Sequence, residues 1–428
     1  MRNYDAFIKD LSELIAIEST EGKRETGAPF GKGAKTALVR FLQKAESFGF
    51  KTVNYDNYAG EITYGEGQEI GIIGHLDVVP AGKEWSYPPF RLTENNGYLI
   101  GRGVSDDKGA MLALLYCLKE LKDSGAPCNK KFRFFVGTNE ESGWQDVAYL
   151  KTKTAIPEYG FSPDGNFPVS YAEKGFYFVR IKLPPFKRFG GITGGTVINA
   201  VCAEARVKPR FTPDKNQLER YELEFDGTHI ISRGVAAHGS KPHLGKNALF
   251  PLMEFIRDCG EDADDAVNYL FKDAWRICVM ENEQGFVTFS PDLAEETSDG
   301  GTLISCDMRI PAPFTVETVK ENMRGCPLDI EITDHDHPPV MIEKDGKFVQ
   351  TLLTAYNAFA DKKGAPVSMG GSTFARVFKK GCAFGPEFPQ EDCHIHEADE
   401  RVSEKALLKA YDIYKKAIFD LAAIKETF

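Results

Sequence analysis

The chain has no long hydrophobic run. Nothing in it approaches the roughly 20 consecutive apolar residues that cross a bilayer, which excludes a helical membrane protein. It also lacks the short apolar core of a secretory signal: "MRNYDAFIKDLSELIAIEST" spaces its apolar residues as an amphipathic helix does, so the cytoplasm is the expected compartment. Paired cysteines are missing too. Nine are scattered without any CxxC spacing, and that odd count excludes a disulfide framework or a structural zinc knuckle in favour of reduced core thiols. Nor is there a surplus of positive charge. Against 63 Asp and Glu stand 52 Lys and Arg, a formal charge of −11 that argues against nucleic acid or an anionic membrane as partner. Repeats and low-complexity segments are absent.

What is present is enough chain for two cores. A length of 428 residues with 42% hydrophobic content makes two domains the default. "DAFIKDLSELIAI" and "GAKTALVRFLQKAESFGF" carry apolar residues at helical spacing, the second closing on Gly49, and "EIGIIGHLDVV" reads as a buried strand. "AMLALLYCLKELKDSG" reads as a helix with Gly125 at its C-cap, and "KFRFFVGTNEESGW" as another strand. This alternation predicts an α/β layer with a largely parallel sheet. From about residue 178 the texture changes to hairpins and helices, with an Asp226-Gly227 turn, which predicts an α+β insert. The helical style resumes at "FVQTLLTAYNAFA" and continues to the last residues. The expected layout is one domain built from residues 1–177 and 347–428, with residues 178–346 inserted as a second.

The chemistry is announced at strand ends. In open α/β sheets ligands sit beyond the carboxyl ends of the strands, and three apolar runs end in "GHLD", "TNEES" and "FSPDG", with "GRGVSDDKG" placed just before a helix. Desolvating even one unpaired carboxylate costs several kcal/mol, and no matching cluster of Lys or Arg is seen. Cations, and more than one, are the economical partner. His75 offers an imidazole nitrogen, and Asp77, two residues on, is placed to accept the other ring N–H and fix the tautomer.

Together "GHLDVVPAG", "GRGVSDDKG", "GTNEESGW", "FSPDGNFP" and the late "HIHEADE" resemble the dinuclear zinc amidohydrolases that include acetylornithine deacetylase, succinyl-diaminopimelate desuccinylase, carboxypeptidase G and carnosinase. "EESGW", "SPDGNFP", "AEKG" and "MGGSTFAR" are similar to the bacterial dipeptidase branch in particular. The resemblance implies a zinc-peptidase-like catalytic domain, its mixed, largely parallel sheet lying between helices, with a ferredoxin-like lid as the insert. It further implies two Zn2+ per chain, with Mn2+ and Co2+ sharing such donor sets. His75 and Asp164 would hold one ion, Glu141 and a late histidine the other, and Asp106 would bridge them through a loop whose Asp106-Asp107 peptide is cis. Asp107 would be structural and Lys108 would neutralise the loop. For the late ligand His394 and His396 both stand in "HIHEADE"; the family order His, any residue, Ala, Asn, Glu selects His396, with Asp399 in place of Asn.

Glu140 and Glu141 are adjacent, and adjacent residues of an extended segment point opposite ways, so they are expected to do different work. By the resemblance Glu141 is the ligand and Glu140 the general base, with Asp77 supporting catalysis. From the insert, His238 in "GVAAHGSKPH" would stabilise the oxyanion with Asn199, and Arg309 in "CDMRIP" would receive a substrate carboxylate. Gly371, Ser372 and Arg376 of "MGGSTFAR" would line the substrate. The pair His335 and His337 reads as solvent-facing, and His229 and His243 have no supporting context. The expected activity is hydrolysis of free dipeptides, with N-acyl amino-acid deacylation or desuccinylation as the alternative, by a monomer, a homodimer being the other arrangement.

Overall fold

The computed structural model describes residues 1, 3–272, 280–333 and 337–428. His335 lies outside the described residues. They form two compact units, one of Met1–Tyr171, Met341–Val367 and Thr373–Phe428, the other of Ala172–Val340 and Ser368–Ser372. The second unit starts a few residues before the change of texture seen at Phe178. Its strand Gly175–Leu183 alternates buried and outward residues from its first position.

In the first unit the strands Lys51–Tyr55, Ala59–Gly65, Lys130–Gly137, Gln68–His75, Tyr159–Ser162 and Lys380–Ala383 are neighbours in that order. The first two contacts are antiparallel. The centre is parallel, with His75 level with Gly137, and Ile72 and Cys382 each level with Phe161. That register decides where the chemistry goes. Three parallel strands end at one edge, and within four residues of their ends come Asp77, Glu140 with Glu141, and Asp164. The strands are buried on both faces, which is why they read as continuous apolar runs instead of alternating ones.

Helix Lys108–Ser124 is buried nearly all round, from Lys108 through Leu118. It ends on Gly125 at φ 65°, a left-handed C-cap that glycine adopts without a Cβ penalty. Gly49, at φ 76°, performs the same role after helix Lys32–Ser47. Helix Glu404–Ala423 starts from Ser403, whose side chain accepts the Ala406 N–H. The second unit is an antiparallel sheet of eight strands with helices such as Leu249–Asp258 and Asp264–Phe271 packed on its own apolar core. The Asp226-Gly227 turn joins Leu223–Phe225 to Ile230–Arg233, with the Asp226 carboxylate accepting the N–H groups of Thr228 and His229. Among the described residues every cysteine is free, and no helix is long and apolar enough to cross a membrane.

Candidate metal centre

The edge where the parallel strands end gathers the acidic stretches of the sequence. His75, Glu140 and Asp164 present ligand atoms that all lie within 4.8 Å of one another, and so do His75, Asp106 and Glu141. His75 Nε2 stands 3.0 Å from Asp106 Oδ1 and 3.8 Å from Asp164 Oδ2. His396 Nε2 reaches the other oxygen of Asp106 at 3.1 Å and Glu141 Oε1 at 3.2 Å. Asp106 therefore lies between two imidazoles, one oxygen toward each. The Asp106-Asp107 peptide is cis. His394 turns elsewhere, to Asp392 and the Ala398 carbonyl.

The supports of these groups differ from the sequence expectation in three places. His75 Nδ1 lies 3.0 Å from the backbone carbonyl of Asp77, nearer than the Asp77 carboxylate at 3.5 Å. A carbonyl only accepts, so Nδ1 carries hydrogen and Nε2 faces the acidic cluster. The Asp77 carboxylate is turned to another task, accepting the backbone N–H of Glu140 at 3.1 Å and of Glu141 at 3.0 Å. Secondly, Glu140 and Glu141 sit in a turn, not on an extended segment, and their carboxylates meet different neighbours, Glu140 the His75 and Asp164 group and Glu141 His396. Thirdly, Lys108 makes its hydrogen bonds away from the loop's carboxylates, although Glu400 and Asp77 still favour its charged form. Its Nζ donates to the carbonyls of Leu14 and Ile17, and burial pulls its pKa down to about 7.

Three functional supports had escaped the sequence reading. Glu400, 1% exposed, accepts N–H groups from Gly103, Ser105 and Asp106 and pairs with Arg102 at 2.8 Å, so it holds the loop that carries Asp106. Asp146, fully buried, accepts the N–H groups of Thr138 and Asn139 and holds the strand end that leads into Glu140. Phe374 sets its ring edge-on to His75, centroids 6.3 Å apart. Glu400 had a signal in the last letter of "HIHEADE"; Asp146 resembles any acid in a first helical turn. The substitution of Asp399 for Asn is accommodated: at φ 56° it adopts the left-handed conformation that both residues tolerate, and Oδ1 accepts the Ser86 N–H.

Electrostatics test whether cations fit. Burial and then Asp164 raise the pKa of Glu140 well above the ordinary carboxylate range; burial and then Asp106 raise Asp164 likewise and also raise Glu141. The histidines move the opposite way to what burial alone gives. Burial disfavours imidazolium, but hydrogen bonds to Asp106 outweigh it, and His396 rises to about 11 while His75 also rises. Asp106 is pulled down by the bonds from His396 and His75 in spite of its burial. Among the described residues, the ion pairs reaching Asp106, Glu141 and Asp164 are with those histidines. Without metal the cluster neutralises itself by taking up protons. Divalent ions with imidazole and carboxylate donors would replace those protons, so the residues fit metal.

The second unit holds a cluster of its own. Asn199 O accepts the Gly239 N–H at 2.7 Å, and Ala200 bridges to His238. A Cβ on Gly239 would lie 2.4 Å from Asp307 Oδ2, so the loop passes hard against that acid. Arg309 donates through Nε and Nη2 to Asp307 at 2.7 and 2.9 Å, is 4% exposed and covers the Phe176 ring. Its planar fork thus grips Asp307, and Nη1 turns to the Gly370 carbonyl at 3.4 Å. Ser372 Oγ lies 3.5 Å from His337 Nδ1, so His337 is half-buried against the glycine turn and not solvent-facing. "MGGSTFAR" is divided: Gly371 and Ser372 belong to this unit, and Arg376, half-buried on the 3-10 turn Phe374–Val377, to the first.

The model of "Peptidase family M20/M25/M40" matches residues 71–420. A putative dipeptidase, YtjP of Bacillus subtilis (strain 168), is 31% identical over 456 residues, covering 99% of this chain and 98% of the relative. The Beta-Ala-Xaa dipeptidase of Lactobacillus delbrueckii subsp. lactis is 31% identical over 458 residues, covering 99% and 97%. Among solved structures, human carnosine dipeptidase 1 superposes with a TM-score of 0.60 at 13% identity over 99% of this chain and 98% of that one, a likeness of fold.

Proposed function

The chain belongs to peptidase family M20/M25/M40, and on that premise we propose that this metallopeptidase is a two-zinc dipeptidase that hydrolyses free dipeptides. The observation that carries the reading is the meeting of six groups from five separate stretches of sequence, His75, Asp106, Glu140, Glu141, Asp164 and His396, at one strand edge. The two relatives named as dipeptidases align along nearly their whole length, which favours that substrate class.

His75 and Asp164 would hold one ion and Glu141 and His396 the other, with Asp106 shared between them. When bound, divalent ions supply Lewis-acid charge that polarises a carbonyl and makes water acidic enough to lose a proton near neutral pH. Glu140 would act as general base toward the attacking water and pass the proton to the leaving amine; its carboxyl, unlike that of Glu141, has no hydrogen bond to His396, and its main chain is fixed by Asp77. Asp77 acts by holding the turn. In the second unit His238 and Asn199 stabilise the oxygen on which negative charge develops, while Arg309 Nη1, the turn at Gly371 and Ser372, and Arg376 orient the substrate's far end.

The test is metal analysis of the purified protein together with turnover of a panel of free dipeptides against N-acetyl and N-succinyl amino acids. Two equivalents of zinc and activity on the dipeptides are expected. Activity confined to the blocked compounds overturns the dipeptidase reading in favour of a deacylase.

A further inference from the structure

His238 and Ser240 meet within one loop of the second unit. The backbone N–H of Ser240 points at His238 Nδ1 from 3.2 Å, and the Ser240 hydroxyl oxygen lies 2.7 Å from the same nitrogen. A backbone N–H can only donate, so Nδ1 is an acceptor and bears no proton. In a neutral imidazole the single proton then sits on Nε2. The opposite tautomer, or an imidazolium, would turn Nδ1–H against the N–H of Ser240. We propose that Ser240 is a positioning residue that locks His238 in its Nε2–H tautomer, so that the ring offers a hydrogen-bond donor, not an acceptor, for the oxygen that becomes negative during amide hydrolysis. The inference rests on the reading of His238 as the oxyanion donor and goes one step further, to what makes it a donor.

The surroundings explain how an exposed imidazole is held. The Gly239 N–H is fixed to the Asn199 carbonyl, and Gly239 itself abuts Asp307 too closely for a side chain. Ser240 is backed by the glycine turn: a Cβ added at Gly370 would stand 3.0 Å from Ser240 Cβ and 3.3 Å from its Oγ. The Gly370 carbonyl in turn faces Arg309 Nη1. Ser240 is thus wedged between the histidine and the turn, and a methyl group at Gly370 would push it toward His238.

The experiment uses the whole metal-loaded protein with 15N-labelled histidine. Of its eight histidines, the His238 signals are identified by their loss in His238→Asn. A bare, imine-type Nδ1 and a protonated Nε2 are expected; a protonated Nδ1, or averaged signals from both tautomers, overturns the inference whatever the activity. Ser240→Ala removes the hydroxyl and keeps the N–H, so kcat should fall about 3- to 10-fold with KM little changed, the effect of one hydrogen bond. Ser240→Thr should restore it. Gly370→Ala should mix the tautomer signals and lower kcat as well. Wild-type kcat in both Ser240→Ala and Gly370→Ala overturns the positioning role. Full activity in His238→Asn instead sinks the oxyanion reading and leaves the tautomer result standing, so the two failures are told apart.

Discussion

Replacing Asp77 with Asn is the perturbation from which the site can be judged best. The carboxylate is 1% exposed, and each oxygen accepts one backbone N–H, from Glu140 at 3.1 Å and from Glu141 at 3.0 Å. Asparagine keeps the size and one acceptor but sets an NH2 group against the second N–H. One charge-assisted bond, about 1.5–3 kcal/mol, becomes a clash of donors, and the other drops toward the ~1 kcal/mol of a neutral bond. The loss is about 2–4 kcal/mol. If it falls on the placement of Glu140 in the transition state, kcat/KM drops by about 30- to 1,000-fold, since ~1.36 kcal/mol is a factor of ten. His75 is held through the Asp77 backbone carbonyl, which the variant retains, so the ring should keep its orientation. Metal content after dialysis should therefore fall at the Glu141 and His396 site more than at the Asp164 site. The assay is steady-state kinetics on a dipeptide at saturating metal, with metal analysis alongside. Turnover within about three-fold of wild type, or metal loss confined to the ion held by Asp164, refutes the claim that Asp77 acts by clamping the turn.

Three further outcomes follow from the same structure. Glu140→Ala should keep both ions and lose about 10^2- to 10^4-fold in kcat, the range of a general base; metal analysis with kinetics checks it, and unchanged turnover removes Glu140 from the mechanism. Asp146, its pKa raised by burial and then by Asp77 to about 7, is protonated more readily folded than unfolded. Its stabilising contribution is complete below about pH 4 and lost as pH rises through about 7. Urea midpoints of the metal-stripped wild type should therefore fall more between pH 5 and 8 than those of Asp146→Asn, and parallel profiles refute this. Arg309→Met leaves Asp307 buried without its partner and should cost about 3–5 kcal/mol of stability as well as substrate affinity. A variant with raised KM and unchanged urea midpoint would show that Asp307 does not depend on it.

What the sequence made legible was whatever follows from local periodicity. Gly49 and Gly125 mark helix ends because only a left-handed residue closes them cheaply, and the strand-terminal acids mark the site because a parallel sheet aligns its carboxyl ends. Contacts set by the turn geometry were not legible. That Asp77 turns its backbone to His75 and its side chain to Glu140 and Glu141 depends on how the strand ends after His75, which no spacing rule gives. The grip of Asp307 on Arg309 had a signal, since residues two apart on a strand share a face and "DMR" pairs opposite charges at that spacing. The second unit begins at Ala172, where the change of sequence texture points to about residue 178, and it also takes in Ser368–Ser372.

The three buried acids around the candidate metal centre share one physical device. Asp77, Asp146 and Glu400 are each almost or wholly inaccessible, and each uses its oxygens on backbone N–H groups of the turns that carry Glu140, Glu141 and Asp106. A loop crowded with carboxylates would otherwise open to relieve repulsion, as the raised pKa values of Glu140, Glu141 and Asp164 attest. Anchoring the main chain confines that repulsion to the side chains, where a cation can answer it. Each anchor meets the N–H groups with acceptor oxygens, and where it is ionised those bonds are stronger than neutral ones. An ionised anchor adds negative charge to the same volume, and beside Glu400 the Arg102 guanidinium at 2.8 Å offsets it. Ordering the ligands through their backbones thus leaves little rearrangement for the arriving ions to drive, and binding energy that would have gone into ordering loops remains for holding metal.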